Sequence, residues 1–186
     1  MTATTYFRAQ AYNNAWANHR LLIACESLPV QELTARRSSF FPSIICTLNH
    51  ILAVDQYYMS GLEGASLGTA AFDLELPYPD IAELSKEQRR ADRRLIVFCE
   101  KLTDLTLAES VDHQRSNWVQ TERIDRTLLH LFQHQIHHRG QVHAMLSGTT
   151  VAPPQLDEFF LGHEKERALR AQDFAVLGFS EDAIWR

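Results

Sequence analysis

The chain has 186 residues, 45% of them apolar and 22% charged, with a formal net charge of −5. That is enough chain for one folded domain with a full core, and too apolar for a disordered one. No stretch gathers Lys and Arg onto a sustained basic face, which excludes nucleic-acid binding as a leading class. The densest run, Arg89-Arg90-Ala91-Asp92-Arg93-Arg94, is broken by an acid and reads as a solvated helix face. The three cysteines, Cys25, Cys46 and Cys99, are odd in number and far apart in apolar surroundings. This is the usage of buried free thiols in a reducing compartment. Residues 1–7 carry no charged segment leading into an apolar one, and no apolar stretch is long enough to span a bilayer. The expectation is a cytoplasmic protein with no membrane partner.

No repeat, low-complexity tract or linker divides the chain, so residues 1–186 read as a single domain. The scarcity of Gly and Pro, 7 and 6 residues, favours long helices. The first helix is predicted over about 5–26. Tyr12, Trp16, His19 and Ile23 recur at helical spacing, and Pro29 ends it. The second opens at Pro42, in the first turn where proline is tolerated, and runs to about Gly61. It is apolar on nearly every side and should be central. A loop containing Gly64, Gly68, Pro77 and Pro79 leads to a third helix over about 80–102, with Asp80 and Glu83 placed as a capping box. Residues 103–120 read as irregular, with a short extended piece at 116–119. The fourth helix is predicted from Thr121, its N-cap, to Ser147, with Gly148 closing it. A shorter helix over about 157–177 follows Pro153-Pro154. Four long helices with a C-terminal helical addition make an all-α four-helix bundle the expected architecture.

Nine histidines are many for this length, and four of them fall between His130 and His138. At about 100° per residue, His134 and His138 lie on the apolar stripe of Ile124, Leu128, Leu131, Val142 and Met145. His130 and His137 fall at its edge and His143 off it. Histidines four apart on one face have Cβ atoms roughly 5–6 Å apart, close enough for both rings to reach one ion. His50 stands on the most apolar helix, in line with Cys46, Val54 and Tyr57. A histidine there needs partners for its ring nitrogens. Two readings follow: a metal held by His50, His134 and His138, or three hydrogen-bonded core histidines.

Gln135 stands where a zincin helix carries its glutamate base, and no glutamate directly precedes His138. Neither metalloprotease type is therefore equipped. There is no nucleophile elbow and no glycine-rich phosphate loop. Tyr57, Asp55 and Asp125 lie on the ligand-bearing helices, but nothing assigns a general base; catalytic residues are not legible.

The run His134-Gln135-Ile136-His137-His138-Arg139-Gly140-Gln141 resembles the signature on the last bundle helix of the DinB family. Leu48-Asn49-His50-Ile51-Leu52 resembles the segment carrying that family's other ligand, and Tyr12-Asn13-Asn14-Ala15-Trp16-Ala17-Asn18 resembles its first helix. The resemblance covers essentially the whole chain. It implies an up-down-down-up bundle and a divalent metal, zinc or nickel, on His50, His134 and His138. It also implies metal-dependent thiol S-transferases or isomerases using a low-molecular-weight thiol on a small-molecule substrate, and a homodimer. The rival class is a non-catalytic, metal-stapled bundle acting as a stress-associated binding module. For Arg139 and Gln141 the alternatives are helix-to-helix hydrogen bonding or, for Gln141, a place facing the metal cavity. Trp118 is a candidate for the cavity mouth.

Overall fold

A computed structural model describes residues 2–65 and 67–186. The elements are α1 (Ala3–Glu26), α2 (Val30–Thr34), α3 (Ile44–Leu62), α4 (Ile81–Glu100), α5 (Asp104–Ala108), β1 (Ser110–Gln114), β2 (Val119–Arg123), α6 (Ile124–Leu146), α7 (Glu164–Leu177) and α8 (Glu181–Trp185). One 3₁₀ turn, Gly68–Phe72, interrupts the loop between α3 and α4.

The long helices α1, α3, α4 and α6 form the bundle, with α1 and α3 each packed against both α4 and α6. Side-chain pairs give the directions. Asn18 bonds Asp92 while Tyr12 bonds Glu100, so α1 and α4 are antiparallel. The His50–His134 and Tyr58–His130 ring contacts make α3 and α6 antiparallel. Asp55 with Gln88 and Glu63 with Arg94 make α3 and α4 parallel. The order is therefore up-down-down-up, as the family resemblance implied.

Local chemistry sets the helix starts. α3 starts after Pro42 rather than at it: Ser43 caps the helix, its hydroxyl accepting from the Cys46 N–H at 3.3 Å. Asp80 caps α4, accepting from the N–H groups of Ala82 and Glu83 at 2.9 Å each. Thr121 does not cap α6. It lies in β2 opposite Asp112 and donates its hydroxyl to that carboxylate at 2.6 Å, so α6 begins at Ile124. Of the extended piece expected at 116–119, only Val119 is in a strand, the first residue of β2; residues 115–118 are the turn of an antiparallel hairpin. Gly148 has no left-handed backbone; Ser147 ends α6 in a right-handed turn. The C-terminal helix starts at Glu164 rather than near 157. The irregular stretch before it places Phe159 in the core, 5.5 Å from Trp16 and 5.6 Å from Phe174. Of the residues recurring at helical spacing on α1, Tyr12, Trp16 and His19 are buried while Ile23 is 46% exposed.

The core is not uniformly apolar. One apolar half gathers Trp16, Met59, Ile96 and Leu128; the other gathers Leu21, Ile45, Leu84 and Val142. Between them lies a polar layer to which all four long helices contribute: Asn14, Asn18, Asp55, Gln88, Asp92, Gln135 and Arg139, each buried. The Arg139 guanidinium donates to the amide oxygens of Asn14, Asn18 (3.0 Å) and Gln135 (3.1 Å). The asparagine amide nitrogens donate onward to Asp92 at 3.1 and 2.8 Å. Gln135 donates to Asp55, and Gln88 donates to both Asp55 (2.7 Å) and Asp92 (3.3 Å). The cation thus reaches the two acids through oriented amides. Asp92, read from sequence as part of a solvated face, belongs to this layer; the arginines around it are exposed.

Gly61 ends the apolar face of α3 against the hairpin. A Cβ there would lie 2.2 Å from His113 Nδ1 and 3.1 Å from the Asp112 carbonyl oxygen. The overpacking costs about 1–3 kcal/mol, more than the roughly 1 kcal/mol alanine gains over glycine inside a helix. Gly61→Ala is therefore expected to lower the urea midpoint. An unchanged or raised midpoint would mean that the hairpin shifts without cost.

Candidate metal centre

α3 and α6 present the three predicted histidines to one another. Ring nitrogens of His50, His134 and His138 all lie within 4.8 Å of one another. The ring centroids stand 4.4–4.9 Å apart. The stripe reading of α6 holds because Ile124, Leu128, Leu131, Val142 and Met145 are all buried, which turns His134 and His138 toward α3.

The electrostatics suit ligands. Burial first, then neighbouring imidazoles, push His134 down to about 3. Burial and His138 push His50 down to about 4. Burial also lowers His138, against the pull of its bond to Gln141. All three are neutral at pH 7, the form that binds a metal. Among the described residues no carboxylate joins the set.

Hydrogen bonds leave the set poorly satisfied by protein alone. His50 Nε2 and His134 Nε2 face each other at 2.9 Å, so only one carries the proton between them. His134 Nδ1 is buried with no partner. His138 Nδ1 lies 2.8 Å from Gln141 Oε1 and must donate to it, since that oxygen only accepts. This bond fixes the tautomer and leaves the His138 Nε2 lone pair free. A converging set of neutral imidazoles with spare lone pairs fits a zinc- or nickel-type ion.

The other candidates resolve differently. His137 is exposed and accepts from Gln141 Nε2 at 3.1 Å. Gln141 therefore holds a histidine of the centre, and Arg139 belongs to the helix-joining layer. His130 is exposed, edge-on to Tyr58, and His143 lies 3.0 Å from the Pro154 carbonyl oxygen, to which it donates. Tyr57 is a core residue whose hydroxyl donates to the Gln114 carbonyl. Asp55 is committed to Gln88 and Gln135 and is not brought into the histidine set. Asp125 pairs with Arg123 at the surface. Trp118 sits 55% exposed in the hairpin turn.

Sequence reasoning missed Phe41, whose ring covers His50 at 4.2 Å and His138 at 5.6 Å. It also missed His113, 2% exposed, with Nδ1 unpartnered and Nε2 3.2 Å from the Thr127 hydroxyl. Phe41 carried no periodic signal because it precedes α3. His113 lies on a strand that was read as irregular.

Two cavities flank the segment bearing Phe41. One, of about 160 Å³, is lined by Phe41, Cys46, His50, Phe72, Leu74 and Glu75. The other, of about 460 Å³ and open to solvent, is lined by Arg37, Ser38, Ser39, Phe40, Gln141 and Gly148.

Comparison with known proteins identifies the family. The DinB family profile matches residues 1–169. The chain belongs to the DinB family. Protein DinB of Bacillus subtilis (strain 168) is 25% identical over 169 residues, covering 87% of this chain and 97% of that protein. A crystal structure of a DinB-like protein from Bacillus cereus ATCC 10987 superposes with a TM-score of 0.57 at 16% identity, over 75% of this chain and 90% of that one. Its likeness is one of fold. No helix among the described residues is long and apolar enough to cross a membrane.

Proposed function

We propose that this DinB-family protein is a divalent-metal-dependent enzyme acting on small molecules, best read as a thiol S-transferase. In this reading His50, His134 and His138 hold zinc or nickel. The observation that carries it is the convergence of three neutral imidazoles, from two helices, with no acid among them. Three protein ligands leave a coordination position open, the mark of a catalytic rather than a closed structural site. A divalent ion bound there supplies Lewis acidity, which lowers the pKa of a small thiol or water near it.

The chain's own residues do the rest. Gln141 holds His138 in one tautomer. Phe41 shields two of the three rings from water. The cavity beside His50, walled by Phe41, Phe72 and Leu74, suits an apolar electrophile. A purely stapling role for the metal is less favoured, because the polar layer already joins α1, α3, α4 and α6.

The test is metal content. Untagged wild type is expected to retain about one equivalent of zinc or nickel per chain by plasma mass spectrometry, as one three-ligand site requires. A His134→Ala/His138→Ala variant is expected to retain almost none. If both bind nothing after zinc and nickel are supplied, the histidines are core residues and the enzymatic reading falls.

A further inference from the structure

The larger cavity beside the centre has the chemistry of an anion site. Arg37 is half-buried in its wall. Its Nη2 pairs with the Glu32 carboxylate and donates to the Glu32 carbonyl at 3.2 Å. Its Nε is buried with no partner. Nη1 makes no hydrogen bond to any described residue and lies 3.6 Å from where a Cβ on Gly148 would stand. Gly148 and Arg37 line the same cavity, so glycine at 148 leaves that guanidinium edge open to it. Ser38 and Ser39 add two hydroxyls, neither bonded to a described side chain. The backbone is held in place: the Arg37 N–H donates to the Pro42 carbonyl at 2.8 Å, closing the segment 37–42 into a loop.

This cavity is one side chain away from the histidines. Gln141 lines it and at the same time accepts from His138 Nδ1. Phe40 lines it while the next residue, Phe41, lies over His50 and His138. The centre thus sits between a cavity on the α3 side, walled by Phe41, Phe72 and Leu74, and one on the α6 side that presents the free edge of the Arg37 guanidinium.

Resting on the reading of the site as thiol-using, we infer that the Arg37–Ser38–Ser39 cavity binds the carboxylate-bearing part of the small thiol. The thiol's sulfur then reaches the histidine centre, and the apolar partner enters from the cavity beside His50. The guanidinium supplies charge-assisted hydrogen bonds to the carboxylate. At about 460 Å³ the cavity has room for a peptide-sized thiol rather than a bare mercaptan.

The test uses S-methylglutathione, which keeps both carboxylates but has no thiol, against its dimethyl ester. Binding to the zinc-loaded full chain is followed by chemical-shift titration. Wild type is expected to prefer the diacid, and Arg37→Gln to weaken that binding about tenfold while leaving the ester unchanged, the usual size of one lost charged hydrogen bond. Arg37→Lys is expected to recover part of the affinity. No diacid binding at millimolar probe, or equal binding by wild type and Arg37→Gln, overturns the inference. A parallel titration of cobalt-loaded protein with glutathione keeps the two proposals apart. Absence of a thiolate-to-cobalt absorption band alongside intact S-methylglutathione binding removes the thiol chemistry and leaves the carboxylate site standing.

Discussion

Arg139→Met is expected to destabilise the protein by about 3–5 kcal/mol, the cost of breaking a buried ionic network by deleting one partner. The residue is 4% exposed and is the only cation in the polar layer. Removing it orphans the amide oxygens of Asn14, Asn18 and Gln135 at once. It also removes the positive charge that holds the Asp55 and Asp92 carboxyls below where burial alone would push them. Methionine fills much of the same volume, so the loss measures polar satisfaction rather than a cavity. Urea unfolding with an unchanged m-value provides the number. A loss below about 1 kcal/mol, the size of a single ordinary hydrogen bond, would mean that the layer is solvated or rearranges freely.

The second large effect is in the pH dependence. Burial pushes the Asp55 carboxyl up to about 7. Burial, and then the charge of Asp55, push Asp92 up to about 8. In the unfolded chain both titrate near 3.9. The folded protein therefore holds protons that the unfolded chain has released, and stability falls as pH rises through that interval. Buried histidines act in the opposite sense, because their folded pKa values are lowered; their contribution is complete once pH exceeds about 6.5. Between about pH 6.5 and 8 the acids stand alone, with a slope of about −1.4 kcal/mol per pH unit for each proton held. Asp92→Asn keeps an oxygen acceptor for Asn14, Asn18 and Gln88 and removes one of these protons. Its unfolding free energy should vary less over that window and should overtake the wild type toward pH 8. Parallel curves for the two proteins would show that Asp92 is ionised throughout.

The clustering of His50, His134 and His138 was legible in the sequence because its signal is geometric. Two histidines four apart on an apolar stripe turn toward a neighbour whatever the rest of the chain does, and the position of His50 on the most apolar helix leaves it facing inward. The four long helices were legible for the same reason, and the family resemblance supplied their directions. The polar layer was not, although it too has spacing. Asn14/Asn18, Gln88/Asp92 and Gln135/Arg139 are pairs four apart, and Asp55 stands in an otherwise apolar helix. Such pairs look like solvent-facing residues when each helix is read by itself. They become core only when four helices meet at one height, which periodicity along a single helix does not encode. Thr121 failed for a related reason: its hydroxyl had a cross-strand partner in Asp112, invisible until the hairpin forms.

Gln135 and Arg139 each directly follow a histidine of the centre, so two turns of α6 carry two faces with separate duties. One face is tied by hydrogen bonds to α1 and α3, and through their side chains to α4, and that tie fixes the rotation of α6 about its own axis. The histidines are aimed as a by-product of a network that contains none of them. The contacts that set this rotation do not pass through the histidines, so replacing one of them leaves the hydrogen bonds of the polar layer in place. The bundle is in that sense a mount with an interchangeable fitting, in which new chemistry is reached by altering the fitting and leaving the mount alone.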